Sequence, residues 1–414
     1  PGFVEDANGA RLDVIPDADA TVDPKQSACT YPFKQLCAAG ISYKMAVSYC
    51  KHTKRHDIAD KRHGEWLALA ALATVCDIVD LTGENRAIVK KGLEILNADK
   101  NVNYGLGRLI NRRGYADKQI DTFAAGFVIG PCINATGRLD NAVMAAQLFL
   151  TPKNDIHTAD ILSEKLTALN DERKLMTAQC VKRVLDSLKA AEKTDKVLVI
   201  TDEDVHESIA GIVAGRVKDV MHRPAIILTR TRGDGELKGS GRSVEGFNLF
   251  NSLYANRELF TRFGGHAMAA GMTLPSQNAG LLRERLNNEC MLEEKDFQAV
   301  LYYDQTLSLP NITLSLAEEL QAMAPFGKAN SEPLFVTEQL KPESVRVIED
   351  KNTIIFNFND GGRRIKAVAF GLNEKYEKSG SGCLSVSLVY SVEANFFNGE
   401  TSVQMRVKDF VCEK

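Results

Sequence analysis

Arg138, Arg242 and His266 are the side chains that most directly invite chemistry, because each stands among glycines. The run Gly130–Leu139 reads GPCINATGRL, in which Gly and Pro bracket a turn that presents Asn134 and Arg138. Residues 239–243 read GSGRS, setting the hydroxyls of Ser240 and Ser243 beside Arg242, and residues 263–266 read FGGH. A planar guanidinium offers paired donors to a phosphate. Small residues let the backbone approach an anion, and an imidazole donates to phosphate or acts as an acid. Each of these Gly-rich turns, taken alone, reads equally well as a structural loop. Their joint order is how an anion cleft between two domains would be built.

Two acidic stretches stand beside these. Asp77 closes the apolar run ATVCDIVDL, where a carboxylate needs either a metal or hydrogen bonds from a helix or loop. Residues 202–206, DEDVH, follow a strand, and ligands gather at the carboxyl ends of parallel strands. An N-cap and acidic first turn of the next helix explains those acids as well, and leaves His206 open. The formal net charge is −3, from 51 Lys and Arg against 54 Asp and Glu, so a nucleic-acid partner requires a local basic surface. The nine cysteines are widely spaced with no CxxC pair, which indicates neither a zinc site nor a disulfide framework and fits a reducing cytoplasm. Cys76, inside its apolar run, reads as a buried thiol. No apolar run reaches membrane-spanning length, and no signal peptide is visible.

The elements that must position these side chains change character along the chain. Its 414 residues, 44% hydrophobic, are enough for two or three domain cores. Helices are expected over 36–49, 65–75 and 85–96, the last with Val89, Leu93 and Leu96 on one face. A long charged helical pattern runs from about 155 to 192, as one helix or as two broken near Asn170 and Asp171. Next come strand 196–201, helix 208–221 and strand 224–229, the order of a parallel βαβ unit. From Glu332 the chain turns β-rich, with hairpin signals at Asp360-Gly361-Gly362 and Asn398-Gly399 that fit a small Greek-key barrel of the OB type.

Taken in order, TVCDIVDLTGENR, IGPCINATGRLDNA, LNDERK, VHESIAGIVAGRV, GSGRS, FGGHAMAAG and APFGKANSEPLF resemble the RecJ nucleases of the DHH phosphoesterase superfamily across nearly the whole chain. The resemblance implies an α/β chain. The C-terminal part of a DHH domain (1–150) would be followed by a connector helix (151–192) and a DHHA1-type substrate-binding domain (193–295). A helical return (296–331) and an OB-type nucleic-acid-binding barrel (332–414) would complete it. It implies a 5′→3′ exonuclease specific for single-stranded DNA, acting in repair and recombination by two-metal hydrolysis with Mn²⁺ or Mg²⁺. Asp77 would help hold the metals, and Asn134 and Arg138 would meet the 5′-phosphate. Ser240 and Arg242 would contact substrate, with His266 facing it as a second catalytic group and His206 at its margin. Val205 and Ser208 depart from the family's Trp and Gly.

The family's DxD and DHH motifs would lie upstream of Pro1, so that the chain, opening in a loop, is expected to be the inactive-alone middle of a longer cytoplasmic protein. A monomer is expected, with no membrane contact and with a helicase or single-strand-binding protein as partner. Two other readings stay open: a non-catalytic DNA-binding or scaffold protein on the same fold, and a small-substrate enzyme cleaving oligoribonucleotides or pAp. The barrel region weighs against the latter.

Overall fold

The computed structural model describes residues 2–5, 11–190, 195–231, 235–380, 383–397 and 399–413. The chain forms two compact units: Pro1–Val102 with Gln119–Gly126 and Leu301–Lys414, and Asn103–Lys118 with Phe127–Val300.

The first unit opens with a short antiparallel pair, β1 (Gly2–Glu5) and β2 (Arg11–Val14). Three helices follow: α1 (Ala38–His52), α2 (His56–Cys76) and α3 (Gly83–Ala98). The small-residue run of α2 lets α3 come unusually close. A Cβ at Gly92 would lie 2.3 Å from the Ala71 Cβ and 2.6 Å from the Leu67 carbonyl oxygen. Leu67, Ala70 and Ala71 are buried with Leu36 and Ile88. Val89, Leu93 and Leu96 are likewise buried, as the periodicity of α3 requires.

The second unit begins with α4 (Tyr104–Arg112). After Gln119–Gly126, which belong to the first unit, a π-helical turn (Ala124–Ile129) leads into α5 (Gly130–Leu139), and α6 (Val143–Leu150) follows. The long pattern is one unbroken helix, α7 (Ile156–Lys189), about 50 Å at ~1.5 Å per residue. Its expected last residues, 191–192, lie outside the described residues. Then come β3 (Leu198–Thr201), α8 (Glu207–Met221), β4 (Ala225–Arg230), β5 (Glu236–Arg242), α9 (Leu249–Ala255), β6 (Arg262–His266), β7 (Ala269–Pro275) and α10 (Ala279–Glu289). The sheet order is β3-β4-β5-β7-β6, and only β3 and β4 run parallel, as their βαβ link demands. β4 is buried on both faces: Ile226 and Leu228 join one core with α9 and α10, while Ala225 and Ile227 join another with α7 and α8.

The chain returns to the first unit through β8 (Gln305–Thr306) and α11 (Leu314–Ala322). The strands β9 (Phe335–Leu340), β10 (Ser344–Ile348), β11 (Thr353–Asp360) and β12 (Arg363–Phe370) follow, then α12 (Asn373–Ser379), β13 (Ser385–Phe397) and β14 (Glu400–Glu413). The order β10-β11-β12-β14-β13-β9-β8 places β9 and β10, three residues apart in sequence, on opposite sides. β12 runs parallel to β14, and this order fits the partly open Greek-key barrel of the OB type. Gly361 and Gly362, at φ +58° and +92°, make the two-residue turn between β11 and β12. Of the Asn398-Gly399 signal, Asn398 lies outside the described residues. Phe356, Phe358, Tyr390 and Phe410 fill the barrel.

One expectation fails here. Cys383 and Cys412, at the open ends of β13 and β14 with Cα atoms 5.4 Å apart, form a disulfide. They are 29 residues apart in sequence, and only strand register brings them together. The other seven cysteines are free. Among the described residues no helix is long and apolar enough to cross a membrane.

Candidate functional site

GSGRS and FGGH are strands, not turns. Ser240 and Arg242 alternate with Gly239 and Gly241 along β5, so the pairs face opposite sides of the sheet. The glycines are required by packing. A Cβ at Gly239 would lie 2.5 Å from Leu228 Cδ2, and one at Gly241 would lie 2.7 Å from Leu249 Cδ2. On the other side Arg242 runs over α8, where a Cβ at Gly211 would meet Arg242 Nη2 and Ser240 Oγ at 2.8 Å each. Arg242 Nη1 donates to the Gly241 carbonyl (2.8 Å) and to Ser240 Oγ (3.2 Å). Burial, then the charge of Arg138, holds the Arg242 pKa below its ordinary value.

His266 ends β6. In the sheet register Arg242 pairs with Ala269, and Ala269 with His266, so the three lie on one line across the sheet. The outer two are about 10 Å apart at the backbone, with only a methyl group between them. His266 is exposed. Gly265, at φ +151°, has no room for a Cβ, which would come within 2.4 Å of the Ala269 carbonyl oxygen.

GPCINATGRL is also not a turn but helix α5, with its proline in the first turn where a missing N–H costs nothing. Asn134 and Arg138, four residues apart, share one exposed face. Arg138 Nη1 donates to the Ser208 carbonyl at 2.8 Å, which brings it to the first turn of α8 alongside Gly211. His206 is the N-cap of α8: its Nδ1 accepts from the Ser208 amide (3.3 Å) and lies 2.7 Å from Ser208 Oγ. Three neighbouring acids are paired with bases, Asp202 with Arg183 (2.8 Å), Glu207 with Lys238 (2.8 Å) and Glu203 with Arg230.

The structure adds two residues that the motif reading passed over. Arg173 of α7 donates from Nη2 to Asn170 Oδ1 at 2.8 Å. Burial first, then the nearby charges of Arg138 and Arg216, hold its pKa down. Arg216 is exposed on α8. Among the described residues none of Arg138, Arg173, Arg216 and Arg242 has a carboxylate partner. Both newcomers stand inside quoted strings, LNDERK and VHESIAGIVAGRV. Helical spacing alone does not reveal that α7 and α8 turn them toward Arg138.

Asp77 belongs to the first unit, whereas Asn134, Arg138, His206, Ser240, Arg242 and His266 belong to the second. It is the C-cap of α2, exposed, and its carboxylate accepts no hydrogen bond among the described residues. Its charge and burial push the neighbouring Cys76 thiol up to about 11, burial being the larger cause. Ile78, directly after it, sits at φ +54°, a left-handed conformation that a β-branched residue rarely adopts. Among the described residues no group of three or more His, Cys, Asp or Glu could hold a metal ion. These residues do not by themselves fit a metal centre.

The RecJ OB domain family matches residues 303–409, and the DHHA1 domain family matches residues 194–291. The single-stranded-DNA-specific exonuclease RecJ of Bacillus subtilis is 33% identical over 95% of this chain and 49% of its own length. The exonuclease RecJ of Dickeya dadantii is 30% identical over 96% of this chain and 71% of its own. The crystal structure of Thermus thermophilus RecJ in complex with Mn²⁺ superposes with a TM-score of 0.70 at 25% identity, covering 85% of this chain and 50% of that one. The same protein with Mg²⁺ gives 0.69 at 25% identity, over 85% and 53%. The chain therefore spans about half the length of the Bacillus relative and of the Thermus structures.

Proposed function

The chain belongs to the RecJ family, and from that premise we propose that it is part of a 5′→3′ exonuclease specific for single-stranded DNA, in which Arg138 and Arg242 grip the 5′-terminal phosphate. The observation that carries this reading is the meeting of two guanidinium groups without carboxylate partners at the first turn of α8. Both are pre-positioned by backbone carbonyls, and both keep donors free for an anion. Ser240 and Asn134 add neutral donors at the margin. His266, one register line from Arg242, donates to the phosphate or the first nucleotide. His206 serves indirectly, by fixing the α8 turn that receives Arg138.

The Thermus relative is known in complex with Mn²⁺ and with Mg²⁺, and we infer the same divalent-metal dependence for the whole protein. Such ions activate water and stabilise the leaving oxygen. Asp77 would offer one carboxylate, and the strained Ile78 beside it supports a functional position. The described residues do not make a complete metal site, so their part in the reaction is binding and orienting the strand. The OB-type barrel extends single-strand contact beyond the terminus. It also favours long strands over dinucleotides or pAp. A helicase or single-strand-binding protein as partner, a monomeric state and a cytoplasmic location complete the proposal.

In the whole protein, Arg138→Ala should weaken cleavage of 5′-phosphorylated single strands about 10- to 100-fold, the worth of a charge-assisted hydrogen bond. It should cost 5′-hydroxyl strands much less. Comparing cleavage of the two substrates tests this, and an unchanged preference for the phosphorylated end would refute the assignment.

A further inference from the structure

An exposed aromatic side chain, taken singly, is ordinary on a protein surface. Phe127 differs because of the face it occupies. It lies in the π-helical turn Ala124–Ile129, three residues before α5, and is 69% exposed. The turn runs into α5 without a break, since Ile129 keeps helical backbone angles, φ −86° and ψ −55°. Phe127, Pro131, Asn134 and Arg138 therefore recur at i, i+4, i+7 and i+11, the spacing of one helical face. The intervening Ile129, Cys132 and Ala135 are fully buried, which fixes the first set as the outward face.

An amphipathic helix reserves its outward face for polar groups. Asn134 and Arg138, both exposed, follow that rule and Phe127 breaks it. The backbone is irregular at the same residue. π turns are rare and gather at functional sites, and this one contains Phe127. The ring and the two polar side chains all belong to the second unit.

At ~1.5 Å per residue, about 16 Å of helix separates Phe127 from Arg138. Phosphates recur about every 3.4 Å along a stacked strand and further apart in an extended one. A strand whose end is held at Arg138 can thus reach the ring within its first five nucleotides. What the ring offers there is a π surface. Every nucleobase has a matching face, so stacking holds a strand without reading its sequence.

We propose that Phe127 is a positioning residue whose ring stacks on one base within the first five nucleotides of the bound strand. This rests on the terminal-phosphate reading above and adds a base contact to it. The ligand class is unpaired DNA with a free base face. Paired DNA presents none without the cost of unstacking, so the contact also disfavours duplex.

The test is equilibrium binding by the whole protein without turnover. The probes are a 5′-phosphorylated oligodeoxynucleotide and the same strand with one abasic residue at each of positions one to five. Phe127→Ala should weaken binding of the intact strand about 10-fold or more, the usual worth of one base–aromatic stack. Phe127→Trp should bind at least as well as the parent. Phe127→Leu, apolar but without a π face, should fall with the Ala variant. In the parent one abasic position should carry a comparable loss, and in Phe127→Ala that loss should largely vanish. The salt dependence should not change, because no phosphate contact is removed. Thermal unfolding of the variants should match the parent.

Parent-like binding by Phe127→Ala would overturn the stack. So would an abasic loss that persists undiminished in that variant at every position, since no base would then owe its binding to the ring. A melting temperature that drops with Ala and recovers with Leu would assign the ring to packing within the whole protein, and would overturn the proposal as well. Failure of the underlying reading shows separately, as a preference for the phosphorylated end that survives Arg138→Gln and Arg242→Gln.

Discussion

At the residue scale, the site depends on what is absent from Gly211 as much as on the arginines. Its missing Cβ is the space that Arg242 and Ser240 occupy. Gly211→Ala gains about 1 kcal/mol of helix propensity, and the group it strikes is the end of a flexible side chain. The expected outcome is a stability within about 1 kcal/mol of the parent but a displaced Arg242. The whole protein should then need roughly tenfold more 5′-phosphorylated strand for half-maximal rate. Thermal unfolding beside steady-state cleavage separates the two effects. Ile78 presents the opposite case. It is exposed, so Ile78→Gly forfeits little burial and relieves a left-handed backbone. A gain of about 0.5–1 kcal/mol should follow. If the strain holds Asp77 for function, activity should fall as stability rises, and denaturant titration with a parallel assay reads both. Neither glycine nor isoleucine looks special in the sequence, because the demand on each comes from the fold around it.

At the scale of elements, the glycines misled. GSGRS, FGGH and GPCINATGRL look like loops by composition, yet they are two strands and a helix. In β5 the glycines face Leu228, Met272 and Leu249, contacts made by other elements of the fold. Local propensity cannot see them. The βαβ order, the helices α1–α3 and the barrel strands were legible because their apolar periods of 2 and 3.6 are local. The pairing of Cys383 with Cys412 was not, since register alone creates it.

The barrel carries a testable titration. Tyr390 is fully buried, hydrogen-bonded to Thr337 Oγ1 at 2.6 Å, and burial pushes its pKa up to about 12. A phenol whose folded pKa exceeds its unfolded value of about 10 favours folding below pH 10. That advantage fades as pH climbs from about 10 to 12, by roughly 2–3 kcal/mol. Tyr390→Phe should flatten this alkaline loss, as circular dichroism across that range would show. A variant that denatures with the parent's pH profile would place the sensitivity elsewhere.

For the whole molecule, the net charge of −3 gives no hint of its partner. Charge averaged over a chain hides arginines unpaired among the described residues, such as Arg138, Arg173, Arg216 and Arg242 in one compact unit, while Asp171, Asp202 and Glu207 there are neutralised in pairs. Individual motifs were visible from the start, because strings such as GSGRS keep their order whatever the fold. Their joint order pointed to a cleft between two domains, whereas α5, α7, α8 and β5 belong to one compact unit, a grouping that only the tertiary packing sets.

The placement of β9 and β10 on opposite sides of the sheet has a consequence of its own. The strands left at its two borders are short, β10 with five residues and β8 with two. Short borders give another polypeptide little backbone on which to hydrogen-bond as an added strand. The same brevity guards the nascent barrel against joining a neighbouring copy during folding.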